Sequence, residues 1–310
     1  MPRSLDPISV IDRLHGEYRR SIMTAFPVSD ANLSERIRTL IEVDGSIYRE
    51  PFVEGVQPFK TNGKLSQYIR PDFLHEQIRT IFEDSRMLYS HQVEAIKQFV
   101  QYGTNIVVAS GTGSGKTETF LLPIIDRLLK EGPETRQQRG IRAILLYPMN
   151  ALVNDQIKRL TGLLLRQGDV PNPIRFGYYT SATEKSREEA KRKLERDLEN
   201  DERLRDIVRD ALGLPAISIL DNFIRDACPR ISKFHALSRE EMWESPPDIL
   251  VTNYSMLGYM LQRPVERGMI EKSRDTFRVL VLDEAHTYVG ARGAEVSRLI
   301  RRVKHAAGIP

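Results

Sequence analysis

Apolar and polar residues follow two grammars along this chain, and their order predicts an α/β fold. Helical spacing of apolar residues marks Ile8 to Met23, Leu33 to Ile41 and Phe73 to Phe82, whereas residues 48–64 are rich in turn formers and read as irregular. Met87 to Val100 reads as an amphipathic helix, with Val93, Ile96, Phe99 and Val100 as its apolar stripe and Ser90 as its N-cap. Strand and helix signals then alternate. Ile106 to Val108 is a β-branched run followed by a glycine-dense turn and a helix over Glu118 to Lys130, with Pro123 inside the pattern. Ala143 to Tyr147 reads as a buried strand, with a turn at Pro148 and a helix from Leu152. Residues 174–183 give a third strand, Ile249 to Val251 a fourth and Val279 to Leu282 a fifth. Short apolar strands separated by helices predict βαβ units in a mainly parallel sheet flanked by helices.

One segment breaks the alternation. Residues 184–212 carry dense, nearly balanced charge with opposite signs at three and four spacing, which predicts an exposed helix or helical pair held by local ion pairs. Mixed helical segments continue to Trp243. The expected organisation is therefore a helical and irregular region over 1–86 packed on a lobe over 87–310, with a helical insertion at 184–243.

Composition narrows the class. Hydrophobic residues make up 40% and charged residues 28%, as in an ordinary globular protein. The formal charge of +4, from 46 basic against 42 acidic residues, permits a polyanionic partner without requiring one. The single cysteine, Cys228, excludes an internal disulfide and a cysteine-cluster metal site, and it suits a reducing, cytoplasmic compartment. The N-terminal residues lack the apolar run of a signal peptide, and nowhere do about eighteen apolar residues run together, so no membrane partner is expected.

The candidate chemistry sits at the carboxyl ends of the expected strands, where open α/β sheets place their working loops. Ser110, Gly111, Thr112, Gly113, Ser114, Gly115, Lys116 and Thr117 spell a phosphate loop between strand and helix. Its glycines let backbone N–H groups surround an anion, Lys116 can reach the β and γ phosphates, and Thr117 can place a hydroxyl on Mg²⁺. Glu118 opens the helix that follows. Ser110 stands where the strict pattern has glycine. Asp283 and Glu284 come straight off the tip of the fifth strand, where an aspartate can hold Mg²⁺ and a glutamate can polarise the attacking water. Tyr89 and Gln92, at the mouth of the Ser90 helix, have the ring and the amide to stack on and read an adenine.

Taken together, SGTGSGKT (110–117) and DEAH (283–286) resemble motifs I and II of the superfamily 2 helicases. That family also accepts a small residue in place of glycine at Ser110. Tyr89 to Gln92 resembles the adenine-reading Q motif, residues 147–156 resemble motif Ia, and residues 251–257 resemble the Ib region. With residues 287–296 they point to the YprA-like group of DEAD/DEAH-box ATP-dependent DNA helicases. The resemblance implies a RecA-like lobe using ATP and Mg²⁺, with Lys116, Asp283 and Glu284 in catalysis and His286 coupling nucleotide state to the motor. It also implies that Pro148, Asn150, Ala151, Thr252 and Asn253 track the phosphates of single-stranded DNA or a duplex junction, in DNA repair or antiphage defence. Such motors close their site with a second RecA-like lobe, in the same chain or in trans, which supplies motif III and arginine fingers. Ser181, Ala182 and Thr183 spell a motif III tripeptide but precede DEAH, so that role does not transfer. Arg298, Arg301, Arg302 and Lys304 read as a solvated helix face. The alternative reading is a non-catalytic regulatory subunit, a single lobe that binds nucleotide or DNA.

Overall fold

The computed structural model describes residues 6–25, 27–43, 58–111, 113–215 and 220–309. They fall into two compact units, 1–58 and 59–310. In the first, α1 (Pro7–Ala25) and α2 (Ala31–Glu42) form where the apolar spacing predicts helices, and Asp30 caps α2 by accepting from Leu33 N at 2.7 Å.

The second unit begins at Phe59, so residues 59–86, grouped by their sequence with the N-terminal region, belong to it. Here β1 (Thr61–Lys64) pairs antiparallel with β2 (Met87–Tyr89), correcting the irregular reading of its residues. The helix expected over Phe73 to Phe82 shrinks to α3 (Ile78–Ile81). Phe73 instead sits at a bend and Leu74 in an isolated bridge to Ile69, both with side chains buried in the core, so their apolar spacing reports burial, not helix. Then come α4 (Ser90–Val100) and α5 (Lys116–Thr135), the latter broken near its end at Gly132, whose φ is 78°.

Next come β3 (Ala143–Tyr147), α6 (Asn150–Leu165) and β4 (Phe176–Tyr179). The charged segment forms α7 (Arg187–Asn200) and α8 (Glu202–Leu212). It continues into α9 (Leu220–Phe234), β5 (His235–Ala236) and α10 (Arg239–Glu244). The chain closes with β6 (Ile249–Asn253), α11 (Tyr254–Met260), α12 (Pro264–Glu271), β7 (Val279–Leu282) and α13 (Gly290–Ala306).

Five strands make a parallel sheet in the order β5-β4-β6-β3-β7. Strand β5 lies inside what the sequence reads as a purely helical insertion. The alternating side chains of β3 divide the core: Ala143, Leu145 and Tyr147 face a cluster shared with α5, α6 and α9, while Ile144 and Leu146 face one shared with α11, α12 and α13. At the opposite end of the sheet from the strand tips, Asp248 ties three strands together. It accepts from Arg142 Nη1 at 3.0 Å and from the Arg175 backbone N–H at 2.8 Å, and burial pushes its carboxyl above the usual range.

The strand expected at Ile106 to Val108 is absent from this sheet. Those residues carry no ladder and Val107 is 95% exposed, while β7, half-buried along its length, pairs only with β3. A β-branched run favours extended backbone, but a strand also requires a partner edge, which local sequence does not specify.

Candidate nucleotide-binding site

Gly115 is where the local sequence sets the site. It adopts a left-handed conformation (φ 69°) at the N-cap of α5, and Gly113 does the same at φ 73°. Only glycine enters that region without a Cβ penalty, so the loop can turn its N–H groups inward at a helix N-terminus. Within the loop, Ser110 Oγ and Ser114 Oγ lie 2.6 Å apart, and Lys116 Nζ donates to the carbonyls of Ser110 at 2.9 Å and Gly111 at 3.1 Å. The ammonium thus lies along the turn of the loop. Ser110 in place of glycine is accommodated by its hydroxyl partner. Thr112 lies outside the described residues.

Behind the loop stands a layer of buried polar groups. Gln92 is 2% exposed, its Oε1 accepts from Tyr89 N at 2.8 Å, and its Nε2 donates to the Gly115 carbonyl at 2.9 Å. This geometry ties the Gln92 amide to the loop backbone at both ends and leaves one N–H and one lone pair over. It also moves the start of the helix: Ser90 is its first residue and Tyr89 occupies the cap position. His91 donates from Nε2 to the Ser114 carbonyl at 2.9 Å. Glu118, 1% exposed, is gripped at Oε1 by both Arg86 and Arg159 of α6, while its Oε2 lies beside Gly115 of the loop. The pairing fixes the first turn of α5 to α6.

Tyr89 keeps a half-buried ring in a small aromatic group. It stacks on His91 at 5.7 Å and 15°, and Phe59 lies 5.5 Å from Tyr89 and 5.7 Å from His91. Phe59 also approaches Gly111 of the loop. Apolar faces of this kind beside a phosphate loop suit a heterocyclic base. Phe59, Arg86 and Arg159 carry no sequence signal for the site; only folding brings them there.

Across the site, Asp283 continues β7, its N–H donating to the Leu146 carbonyl at 3.0 Å. Its Oδ1 accepts from Glu284 N at 2.9 Å. Burial raises the Asp283 carboxyl above the ordinary 3.8, the Glu284 N–H draws it down, the Glu284 charge raises it, and the Lys116 ammonium draws it down. Glu284 takes a left-handed backbone (φ 49°, ψ 42°), uncommon for a residue with a side chain, and its carbonyl is held by Thr287 Oγ1 at 2.8 Å. His286 is exposed, with Nδ1 3.3 Å from Glu284 Oε2.

Among the described residues no group of three or more His, Cys, Asp or Glu could hold a metal by itself. Mg²⁺ binds through one or two protein oxygens plus substrate phosphates. Thr117, in the first turn of α5, and Asp283 each carry an oxygen that would suit such a site.

The expected nucleic-acid contacts are corrected in part. Thr252 is fully buried, and its hydroxyl donates to the Tyr179 carbonyl at 2.6 Å. Asn253 caps α11, its Oδ1 accepting from Met256 N at 2.8 Å. Both side chains serve the fold, because polar groups at a strand end bond to backbone when backbone is within reach. Pro148 is half-buried beyond β3. Asn150 and Ala151 open α6, and their side chains lie outside the described residues.

Known proteins resemble this chain along most of its sequence. A family model described as DEAD/DEAH box helicase matches residues 89–222. The chain is 32% identical to Druantia protein DruE of Escherichia coli (strain UMEA 4076-1), with 97% of this chain and 20% of that protein aligned. It is 26% identical to ATP-dependent helicase Lhr-Core of Methanothermobacter thermautotrophicus, over 80% of this chain and 23% of the relative. With the uncharacterized ATP-dependent helicase YprA of Bacillus subtilis it shares 25% identity, over 76% and 24%. The chain thus spans about a fifth to a quarter of the length of these curated relatives. A crystal structure of DUF1998 helicase MrfA bound to DNA and AMPPNP aligns with a TM-score of 0.49 at 22% identity, over 81% of this chain and 26% of that one. No helix among the described residues is long and apolar enough to cross a membrane.

Proposed function

The chain belongs to the DEAD/DEAH box helicases, and we propose that it is the ATP-binding motor lobe of a YprA-like DNA helicase or translocase. The observation that carries this is a glycine-turned phosphate loop with Lys116 held along its turn, in one unit with the Asp283–Glu284 tip that continues β7. ATP would lie with its phosphates in the loop and Lys116 on the β and γ groups. Thr117 and Asp283 would hold Mg²⁺, and Glu284 would orient the water. When bound, Mg²⁺ supplies charge neutralisation at the transferred phosphoryl group. Tyr89, His91 and Phe59 offer the base an apolar wall. Gln92 acts on the loop.

Phosphoryl transfer in such motors gains roughly 10³ to 10⁵ in rate from an arginine reaching in from a facing lobe. We propose a second RecA-like lobe as that partner and single-stranded DNA or a duplex junction as the track. The wider setting we propose is DNA repair or antiphage defence.

Binding of a fluorescent ATP analogue, with and without Mg²⁺, tests the assignment. The unaltered chain is expected to bind more tightly with Mg²⁺, and Thr117→Ala or Asp283→Asn to lose most of that difference. Equal Mg²⁺ dependence in all three proteins would remove Thr117 and Asp283 from the site.

A further inference from the structure

The formal excess of the whole chain is +4, and residues 296–310 carry four Arg or Lys and no Asp or Glu. Four basic residues are thus gathered in the second half of α13, with no acidic residue among them over 296–310. There Val296, Leu299, Val303 and Ala306 face the core, which turns Arg298, Arg301, Arg302, Lys304 and His305 to solvent. Arg274 extends the same surface, donating from Nε to the Ala306 carbonyl at 3.4 Å.

Among the described residues none of Arg298, Arg301, Arg302 and Lys304 forms an ion pair or a hydrogen bond through its side chain. Several cations of the charged segment are, by contrast, paired. In and around α7 and α8, Lys193 meets Glu184, Arg187 meets Glu244, Lys158 meets Asp201 and Arg209 meets Asp206. Complementing the helix dipole accounts for cations in the last turn only, such as Lys304 and His305, because that effect fades beyond one turn. Arg298, Arg301 and Arg302 lie further back.

We propose that this face of α13 is a docking surface for the phosphate backbone of DNA, set apart from the nucleotide-binding strand tips. The inference rests on the reading of the chain as a DNA-directed lobe. The eight residues of helix from Arg298 to His305 span about 10 Å. About 10 Å of duplex presents roughly six phosphates, enough to engage every cation on the face. Guanidinium groups bind phosphate oxygens in a fork and read no bases, so the surface holds DNA without selecting its sequence. It also supplies what the buried Thr252 and the helix-capping Asn253 do not, side-chain donors free to meet a backbone.

The test is fluorescence anisotropy of a labelled 20-mer, duplex and single-stranded, over a range of salt concentrations. It compares the unaltered chain with a variant carrying Arg298→Gln, Arg301→Gln, Arg302→Gln and Lys304→Gln. These side chains are exposed, so the variant is expected to keep its circular dichroism and melting temperature. Its DNA affinity is expected to fall about tenfold or more at low salt, and the slope of log K against log salt to shrink by about 3. Unchanged affinity and slope in the folded variant overturn the proposal and leave the face to an acidic protein surface. Failure of the unaltered chain to bind DNA also overturns it. Binding of ATP with Mg²⁺ by the same preparations shows whether the lobe assignment survives either outcome.

Discussion

The side-chain amide of Gln92 and the backbone carbonyl of Gly115 meet at 2.9 Å, joining the first turn of α4 to the pivot of the phosphate loop. A Cβ on Gly115 would come within 2.5 Å of the same Nε2. The amide and the missing side chain thus define one another. If Gln92 works through the loop, Gln92→Ala should weaken ATP, GTP and inorganic triphosphate alike, by several-fold each. Competition binding with the three ligands measures this, and a loss confined to ATP would return Gln92 to base reading.

Gly115→Ala faces both the left-handed φ and that close approach. The conformation alone costs about 1–2 kcal/mol. The variant should unfold at lower urea concentration and lose nucleotide binding, whereas Gly258→Ala, where an added Cβ meets nothing within 4 Å, should do neither.

Glu118 is held by Arg86 and Arg159, and both arginines retain partial access to water. Removing the carboxylate leaves cations that can resolvate, so Glu118→Ala should cost about 1–3 kcal/mol, below the full penalty for breaking a buried pair. Arg159→Met leaves Arg86 in place and should cost less. Urea titration of the two variants gives the comparison.

Burial sets the Asp283 carboxyl above the 3.8 at which it ionises in an unfolded chain. Between that value and the raised one, the folded protein keeps a proton that the unfolded chain releases. Stability contributed by this group is therefore present at low pH and lost as pH rises through the window. Asp283→Asn should melt above the unaltered chain at neutral pH, with the gap closing toward pH 4. A gap that widens on acidification would mean the carboxyl is stabilised in its charged form.

Much of this fold was readable because its strands announce themselves by burial. Ala143–Tyr147 and Val279–Leu282 are short apolar runs, and they form β3 and β7 with the expected bounds. The phosphate loop and the DEAH tip were readable because glycine, lysine and acidic residues leave few physical alternatives in that order. What stayed hidden depends on tertiary pairing. Val107 looks like a strand residue and is exposed, and the two residues of β5 gain their place from β4, not from their own pattern. The roles of Gln92, Thr252 and Asn253 hinge on which backbone group lies within 3 Å, and their residue types allow either outcome. Phe59 and Arg159 reach the site from distant segments.

Whether Lys116 and its loop bind the phosphates of ATP is decided by calorimetric titration of ATP with Mg²⁺ into the chain and into Lys116→Ala. Saturable one-to-one binding is expected for the unaltered chain, with at least a tenfold loss in the variant and its melting temperature preserved. Equal affinity in the two proteins would remove Lys116 from the phosphate site.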